Sequence, residues 1–326
     1  MRTFDYQRAD SLPQAIGRSD TAGRAFLAGG TTLLDLVKLD VMQPSAVIDI
    51  NRLPLKQIER LEDGRLRIGA LVSNTHLAQH PDVREHYAVL SQALLAGAST
   101  QLRNKATTAG NVMQRVRCGY FRDGISPCNK RVPGSGCSAI EGHNRSVHAV
   151  LGTSEACIAA HPSDMCVAMA AIGAQVTVQG RDGARTLDFA DFHRLPGNTP
   201  WLEHALAPNE LITHVTLDAP MAGSRSGYLK LRDRTSYQFA LASSAVIVAL
   251  DGTRIREARI ALGGVGTKPW RATATEQALK GQVASEALYA EAAAAAFKEA
   301  HAYSHNAYKI PLGQQAIVRN LRTVTA

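Results

Sequence analysis

Four cysteines stand in the stretch from residue 101 to 160, at Cys118, Cys128, Cys137 and Cys157, with the spacing C-x9-C-x8-C-x19-C. Between Cys118 and Cys137 the chain is rich in Gly, Pro, Ser, Asn, Asp, Arg and Lys, with no helical or alternating period. A long structureless loop inside a domain is as a rule functional or disordered, and evenly spread thiols point to something that pins it. Structural zinc sites mostly use tight C-x2–4-C knuckles and thioredoxin-like chemistry uses CxxC; neither pattern occurs. An iron–sulfur cube, whose corners lie several ångströms apart, tolerates wide spacing, and four cysteines are its usual complement. Zinc, and a structural or disulfide use, stay open on spacing alone, with His143, His148 and His161 as further zinc ligands. Cys166 falls in an apolar helical stretch and reads as a small buried hydrophobe.

The formal charge of the 326-residue chain is +8. From Gln101 to His148, eight Lys/Arg (Arg103, Lys105, Arg115, Arg117, Arg122, Lys130, Arg131, Arg145) face two acids, Asp123 and Glu141, so six of the eight net charges crowd around the cysteines. Cations there would stabilise an anionic thiolate cluster; a solvated basic loop or a docking face for an acidic partner are the other readings. Nucleic acid is not indicated, because no helix-turn-helix, aromatic platform or zinc-finger spacing accompanies the charge. Five cysteines without a short-chain disulfide pattern suggest a reducing compartment of synthesis. No run approaches the roughly 18–20 apolar residues of a membrane span. The start, MRTFDYQRADSLPQAIGRSD, shows no apolar signal region and no twin arginine, so no signal peptide is expected on this chain.

The elements that must position this chemistry follow from periodicity and caps. Residues 1–52 read as strand, helix, strand, helix, strand: Ser11 caps a helix over Leu12–Ile16, Arg24–Ala28 is an apolar strand, Gly29-Gly30 a turn, Thr31–Lys38 a helix with a Thr N-cap, and Ala46–Ile50 a strand. A strand, a glycine turn and a helix start leave backbone N–H groups free for phosphate. AGGTT lacks the GxGxxG and GxxxxGK[ST] patterns. Leu66–Val72 is a strand, Ser73 caps the next helix, His80-Pro81 breaks it, and Asp82–Ala96 reads as one amphipathic helix. The small-residue run ATTAGN (106–111) offers a second turn; two such turns could cradle the two phosphates of a dinucleotide. Met165–Ile172 is helical and Gln175–Gln179 an alternating strand. The composition shifts at 220–227. Beyond it come strands over Tyr228–Leu231, Phe239–Leu250 and Arg254–Leu262, a hairpin turn at Asp251-Gly252, and two helices, Ala272–Lys280 and Ser285–Ala300. The fold class expected is α+β.

LAGGTTLL (Leu27–Leu34), TTAGN (Thr107–Asn111), PSDM (Pro162–Met165), KLRDRTSYQFALASSAV (Lys230–Val246) and ALGGVGTKPWRA (Ala261–Ala272) resemble the FAD-binding subunits of molybdenum hydroxylases, the xanthine dehydrogenase and carbon monoxide dehydrogenase flavoprotein family. The resemblance covers nearly the whole chain. The inserted loop, RCGYFRDGISPCNKRVPGSGCSAIEGHNR followed by Cys157, looks like that of the bacterial periplasmic aldehyde oxidoreductase flavoprotein subunits, which carry an extra [4Fe–4S] cluster.

The resemblance implies a two-lobed FAD-binding domain of the PCMH/VAO type over residues 1–218, with lobes of about 1–52 and 53–218 and an Fe–S loop over 115–160. A CO-dehydrogenase-flavoprotein-like C-terminal α+β domain would follow over 219–326. It implies that Leu27, Ala28, Gly29, Gly30, Thr31, Thr32, Leu33 and Leu34 wrap the FAD pyrophosphate, with Thr107, Gly110 and Asn111 opposite. Asp164 would hold the polar portion of the cofactor, Ile212 and Lys230 would approach the flavin, and Cys118, Cys128, Cys137 and Cys157 would hold a [4Fe–4S] cluster. Many members have GGN where this chain has Ala109-Gly110-Asn111; alanine takes positive φ reluctantly, so the backbone is expected to differ there. The implied partners are a large subunit with the molybdenum cofactor, a small [2Fe–2S] subunit and an external electron acceptor at FAD. A signal-bearing partner could carry the folded chain to the periplasm; otherwise it stays cytoplasmic. The competing readings are a related xanthine, CO or hydroxybenzoyl-CoA type subunit, a stand-alone flavin oxidase, and a zinc-stapled binding subunit.

Overall fold

The computed structural model of the chain describes residues 1–19 and 22–326. The N-terminal part alternates as its pattern predicts: β1 (Asp5–Arg8), α1 (Leu12–Ser19), β2 (Arg24–Leu27), α2 (Leu33–Lys38) and β3 (Ala46–Asp49). Gln14 N–H donates to Ser11 Oγ at 3.3 Å and Asp10 N–H to Gln14 Oε1 at 2.7 Å, a reciprocal cap that starts α1. The strands form a parallel sheet in the order β1-β3-β2. Parallel neighbours need crossovers, and α1 and α2 supply them. The central β3 is buried throughout, which is why AVID is nearly all apolar.

Next come β4 (Ile58–Arg60), β5 (Leu66–Gly69), α3 (Asn74–Gln79), α4 (Pro81–His86), α5 (Ala88–Ala96), α6 (Thr100–Lys105) and α7 (Thr108–Val112). Ser73 caps α3 as expected, accepting from His76 N–H. The single helix expected over Asp82–Ala96 is two. Tyr87 leaves the helical region (φ −132, ψ 48) so that its buried ring can reach in and its hydroxyl can donate to the Asp218 carbonyl at 2.9 Å. The cysteine stretch contains two single-turn helices, α8 (Gly119–Arg122) and α9 (Ser138–Glu141), and an antiparallel bridge between Cys128 and Cys137. After it, α10 (Asp164–Ile172), β6 (Ala174–Gly180), β7 (Gly183–Asp188), α11 (Phe189–Phe192) and β8 (Leu211–Leu217) complete an antiparallel sheet ordered β4-β5-β8-β6-β7.

The remaining chain forms β9 (Ser224–Leu231), β10 (Ala242–Asp251), β11 (Arg254–Gly263), β12 (Trp270–Arg271), α12 (Thr273–Leu279), α13 (Glu286–Ala295) and α14 (Lys309–Thr325), with an antiparallel sheet ordered β12-β11-β10-β9. The hairpin at Asp251-Gly252 is present, Gly252 taking φ +58. The final helix α14 was not expected. Pro311 and Gly313 in its first turns lower its intrinsic preference. Packing overrides that: Ile317, Leu321 and Val324 join the core of the four-stranded sheet, and a side chain at Gly313 would overlap the Phe297 ring. The mixed helix and strand architecture is the α+β class expected. Among the described residues, no helix is long and apolar enough to cross a membrane.

Asn320 staples α14 to the sheet. Its buried amide donates to Gly227 O at 3.0 Å and to Ser244 O at 2.8 Å. Asn320→Ala leaves two buried carbonyls with one partner fewer, and is expected to lower stability by about 1–3 kcal/mol in urea unfolding; a change below about 0.5 kcal/mol contradicts the staple.

Candidate functional site

Two small-residue turns from different parts of the chain meet backbone to backbone. In the first, Gly30 takes φ +75, with the Leu27 and Leu34 side chains packed beneath it. A Cβ on Gly29 would fall on the Lys105 carbonyl oxygen, far inside van der Waals contact. Thr32, expected as an N-cap, has helical backbone and no capping bond. Among the described residues, none of the backbone N–H groups from Gly29 to Leu33 donates to a protein acceptor. The second turn is built by Thr107, which accepts from Gly110 N–H at 3.3 Å and starts α7. Ala109 lies inside this short helix, outside the positive-φ region, so alanine is accommodated where a glycine was expected. Its N–H donates to Ala70 O at 3.0 Å. Asn111 is held by Ser163, whose hydroxyl donates to Asn111 Oδ1 at 2.7 Å.

The paired turns form the waist between two clefts. The first, about 420 Å³, is lined by Ala28 to Leu33, Thr107 and Gly110, and across from them by Lys130, Cys157, His161, His193, Trp201 and His204. The second, about 650 Å³, is lined by Asn74, Gly97, Arg103, Asn111, Asp164 and Phe239 among others. Thr31, Thr32, Gly110 and Gln114 border both. Such volumes suit small-molecule or cofactor arms.

The four loop thiols converge behind the first cleft. Cys118, Cys128, Cys137 and Cys157 line one narrow cavity of about 10 Å³. They share a core with Leu36 of α2, Val116, Phe121 and Ile158. All five cysteines are free thiols. Burial pushes Cys118 up to about 12 and Cys157 up to about 11, and raises Cys137 as well. Among the described residues, no three of these four sulfurs lie within 4.8 Å of one another. Ligands on a single tetrahedral zinc at 2.3 Å would stand about 3.8 Å apart. His148 lies against the set: Arg145 N–H donates to its Nδ1 at 3.1 Å, so Nε2 carries the proton and faces Cys118 Sγ at 3.3 Å. Burial lowers the His148 pKa to about 4, keeping the ring neutral.

Most cations of this stretch are internal braces. Arg131 donates to the Tyr120 and Phe121 carbonyls at 2.7 and 2.8 Å, and Arg115 pairs with Glu203 at 2.6 Å. Arg117 and Arg122 both grip Asp35 of α2, at 3.4 and 2.6 Å. Lys130, buried, donates to Pro200 O at 2.8 Å. The solvated-loop reading of the charge is therefore replaced: these side chains hold the loop rather than face water.

Of the residues singled out from sequence, Ala28 to Leu33, Thr107, Gly110, Asn111 and Asp164 border the clefts. Leu27 and Leu34 support the first turn from below. Ile212 lies in the apolar core of the five-stranded sheet, away from both clefts. Lys230 stands behind Asp164, its Nζ 2.8 Å from Oδ2, while Tyr228 donates to Oδ1 at 2.6 Å. Sequence reasoning missed His193, His204 and Trp201 as cleft residues. No motif marks them; they arrive there because residues 193–204 fold back over the cleft, with His193 bridged to His204.

Residues 2–220 match the family described as the FAD binding domain in molybdopterin dehydrogenase, and residues 227–324 the CO dehydrogenase flavoprotein C-terminal domain. The chain is 49% identical over its full length to the aldehyde oxidoreductase FAD-binding subunit PaoB of Escherichia coli strain K12, covering 99% of that protein. It is 25% identical to the glyceraldehyde dehydrogenase medium chain of Sulfolobus acidocaldarius, over 87% of this chain and 84% of that one. Among solved structures, the carbon monoxide dehydrogenase of Hydrogenophaga pseudoflava superposes with a TM-score of 0.78 at 25% identity, over 99% of this chain and 97% of that one.

The Asp164–Lys230 pair sits at 8% and 3% side-chain exposure. Removing one member of a buried pair strands the other charge and costs about 3–5 kcal/mol. Lys230→Met is expected to lower unfolding stability by that amount, with Asp164→Asn, Lys230→Met recovering part of it. A single variant as stable as the native chain contradicts the pairing.

Proposed function

Because this chain belongs to the family of FAD-binding subunits of molybdenum hydroxylases, we propose that it serves as the FAD and [4Fe–4S] electron-transfer subunit of an aldehyde oxidoreductase. The observation that carries this reading is the waist: backbone N–H groups from Gly29 to Leu33, without an acceptor among the described residues, in a turn that lines a cleft with Thr107 and Gly110, and a second cleft alongside. Convergent N–H groups favour a pyrophosphate, and two clefts suit the two arms of a dinucleotide. The flavin ring is assigned to the cleft with Asp164, because Lys230, which the resemblance places near the flavin, holds that carboxylate at 2.8 Å. The adenosine arm is assigned to the other, which shares Val116, Lys130, Cys157 and Ala159 with the thiol cavity.

Bound FAD supplies one- and two-electron redox chemistry, and the protein supplies binding, orientation and electrostatics. A cluster on four thiolates supplies a one-electron relay tuned by hydrogen bonds, charge and exposure. Cys118, Cys128, Cys137 and Cys157 would be its ligands, losing their protons as metal enters. The wide C-x9-C-x8-C-x19-C spacing, without a tight C-x2–4-C knuckle, favours a cluster over a single zinc ion. His148 Nε2–H donates to the Cys118 sulfur and would lower the electron density of a thiolate there. Lys130, beside Cys157, favours the thiolate electrostatically.

In this reading, a partner with the molybdenum cofactor oxidises the aldehyde. A small [2Fe–2S] partner delivers electrons to this chain, and an external acceptor collects them at the flavin. The extent and degree of identity with the aldehyde oxidoreductase subunit favour an aldehyde over the other substrates of the family.

Two variants test the site. Gly29→Val forces the first turn off the Lys105–Ala106 backbone and is expected to weaken FAD binding at least tenfold (roughly the 1.4 kcal/mol of one lost charge-assisted contact), read by flavin release and fluorescence. Cys128→Ser is expected to abolish iron while leaving FAD content close to native. Unchanged iron after Cys128→Ser, or zinc at one per chain in the native protein, contradicts the cluster.

A further inference from the structure

Residues 193–204 close one side of the first cleft as a strap. Its two ends are pinned together by the bridge between His193 and His204 and by Arg194 N–H donating to Glu203 O at 3.0 Å. Within it, Thr199 N–H donates to Pro196 O at 2.9 Å and Leu202 N–H to Thr199 O at 3.0 Å, so the strap is a run of tight turns. Pro196, Pro200, Trp201, Leu202 and Glu203 line the cleft from this side, opposite Ala28 to Leu33. Trp201 and Leu202 are 38% and 42% exposed, apolar surface that an occupant of the cleft would cover.

Among the described residues, every hydrogen bond or ion pair that reaches residues 194–203 from outside the strap comes from the cysteine stretch. Lys130, between Cys128 and Cys137, is 8% exposed; its ammonium donates to Pro200 O at 2.8 Å and stands 3.7 Å from a Glu203 carboxylate oxygen. Arg115 holds the same carboxylate at 2.6 Å. Ser154 Oγ donates to Gly197 O at 2.8 Å. Gly152 lies against Leu195, whose side chain a Cβ there would approach to 2.8 Å.

We propose that the cysteine loop is also the clasp of the cofactor: Lys130 and Ser154 hold the strap over the adenosine arm and so set how fast FAD leaves. The proposal rests on the FAD reading above, with adenosine in the first cleft, and deepens it. Lys130 is a positioning residue here, acting through Pro200 and Glu203. A buried ammonium has three donors to satisfy and little water to satisfy them. Lifting the strap takes away its Pro200 acceptor, so opening is costly. Ser154 lies outside the lining of the cleft, so its influence on the cofactor has to pass through the strap. Lys130 does border the cleft, and a direct contact with the adenosine arm is the alternative to be separated. The strap covers one arm only, which confines the effect to the adenosine end.

The test uses the full chain, stripped of flavin and reloaded with FAD or with FMN, which lacks the adenosine arm. Release is followed by flavin fluorescence. Lys130→Met is expected to speed FAD release about tenfold, the worth of one hydrogen bond from a charged donor, and to leave FMN release unchanged. Lys130→Arg keeps a charged donor and is expected to retain most of the native hold. Ser154→Ala is expected to speed FAD release about threefold through the loss of a neutral bond, again without effect on FMN.

Acceleration of FAD and FMN release by the same factor overturns the proposal, since the loop would then act on the fold as a whole. Unchanged FAD release in both variants also overturns it, as does acceleration by Lys130→Met alone, which makes Lys130 a direct contact of the adenosine arm. Should Lys130→Met fail to fold, Ser154→Ala decides by the same comparison of FAD with FMN. A native chain that releases FAD and FMN equally fast, or binds no FAD, refutes the underlying reading instead.

Discussion

The approach of residues 28–30 to residues 105–107 is the constraint from which the rest of the site follows. It is close enough that only a hydrogen fits on Gly29 against the Lys105 carbonyl. It is held from the second turn's side by Asn74 N–H donating to Ala106 O at 2.9 Å and by the bridge between Ser73 and Thr107. Among the described residues, the first turn's N–H groups from Gly29 to Leu33 have no protein acceptor, and their residues line the first cleft. A bulkier residue at position 29 would separate the turns and open the waist. The small residues are thus a steric requirement of the contact as well as a conformational one: Gly30 needs its positive φ, Gly29 needs its missing side chain.

The cysteine loop is fixed to this waist by charge and by buried amides. Asp35, one turn beyond the Gly29–Thr32 segment, takes Arg117 and Arg122 from the loop. Asn144, fully buried, donates to Ala139 O at 3.0 Å and accepts from His305 N–H at 3.0 Å, tying the loop to the C-terminal segment. Lys309 does the same from α14, donating to Ser146 O at 2.7 Å and to Gly264 O. A long connection without regular structure normally lacks a core of its own; this one gains order from partners on both sides. The consequence for function is a fixed spacing between the thiol set and the first cleft, with Cys157 and Lys130 in the shared wall.

Much of the fold was legible because local signals and tertiary demands agreed. Ser11 and Ser73 each cap the helix their position predicted, and the apolar strands at 46–50 and 242–250 lie where burial requires them. The misses share one cause, tertiary packing overriding local pattern. Tyr87 splits a helix because its ring is needed in the core, and α14 forms despite Pro311 and Gly313 because the four-stranded sheet needs a cover. In the candidate site, residue types pointed to segments that the structure brings together: the glycine turn meets the Thr107 turn, and the four loop cysteines line one cavity. Lys230 and Ile212 illustrate the opposite case: a position can match a pattern while its side chain braces Asp164 or fills the core. The histidines of the first cleft left no trace in spacing, because they are assembled from segments 32 residues apart by the fold-back of residues 193–204.

The account stands on one composition: a flavin dinucleotide and an iron–sulfur cluster in the same polypeptide. The most direct measurement is a visible spectrum of the isolated chain, with flavin, iron and acid-labile sulfide quantified on the same sample. The account predicts flavin absorption overlaid by a broad iron–sulfur band, with about one FAD, about four irons and about four sulfides per chain. A colourless protein, or a yellow one containing zinc without iron or sulfide, contradicts it.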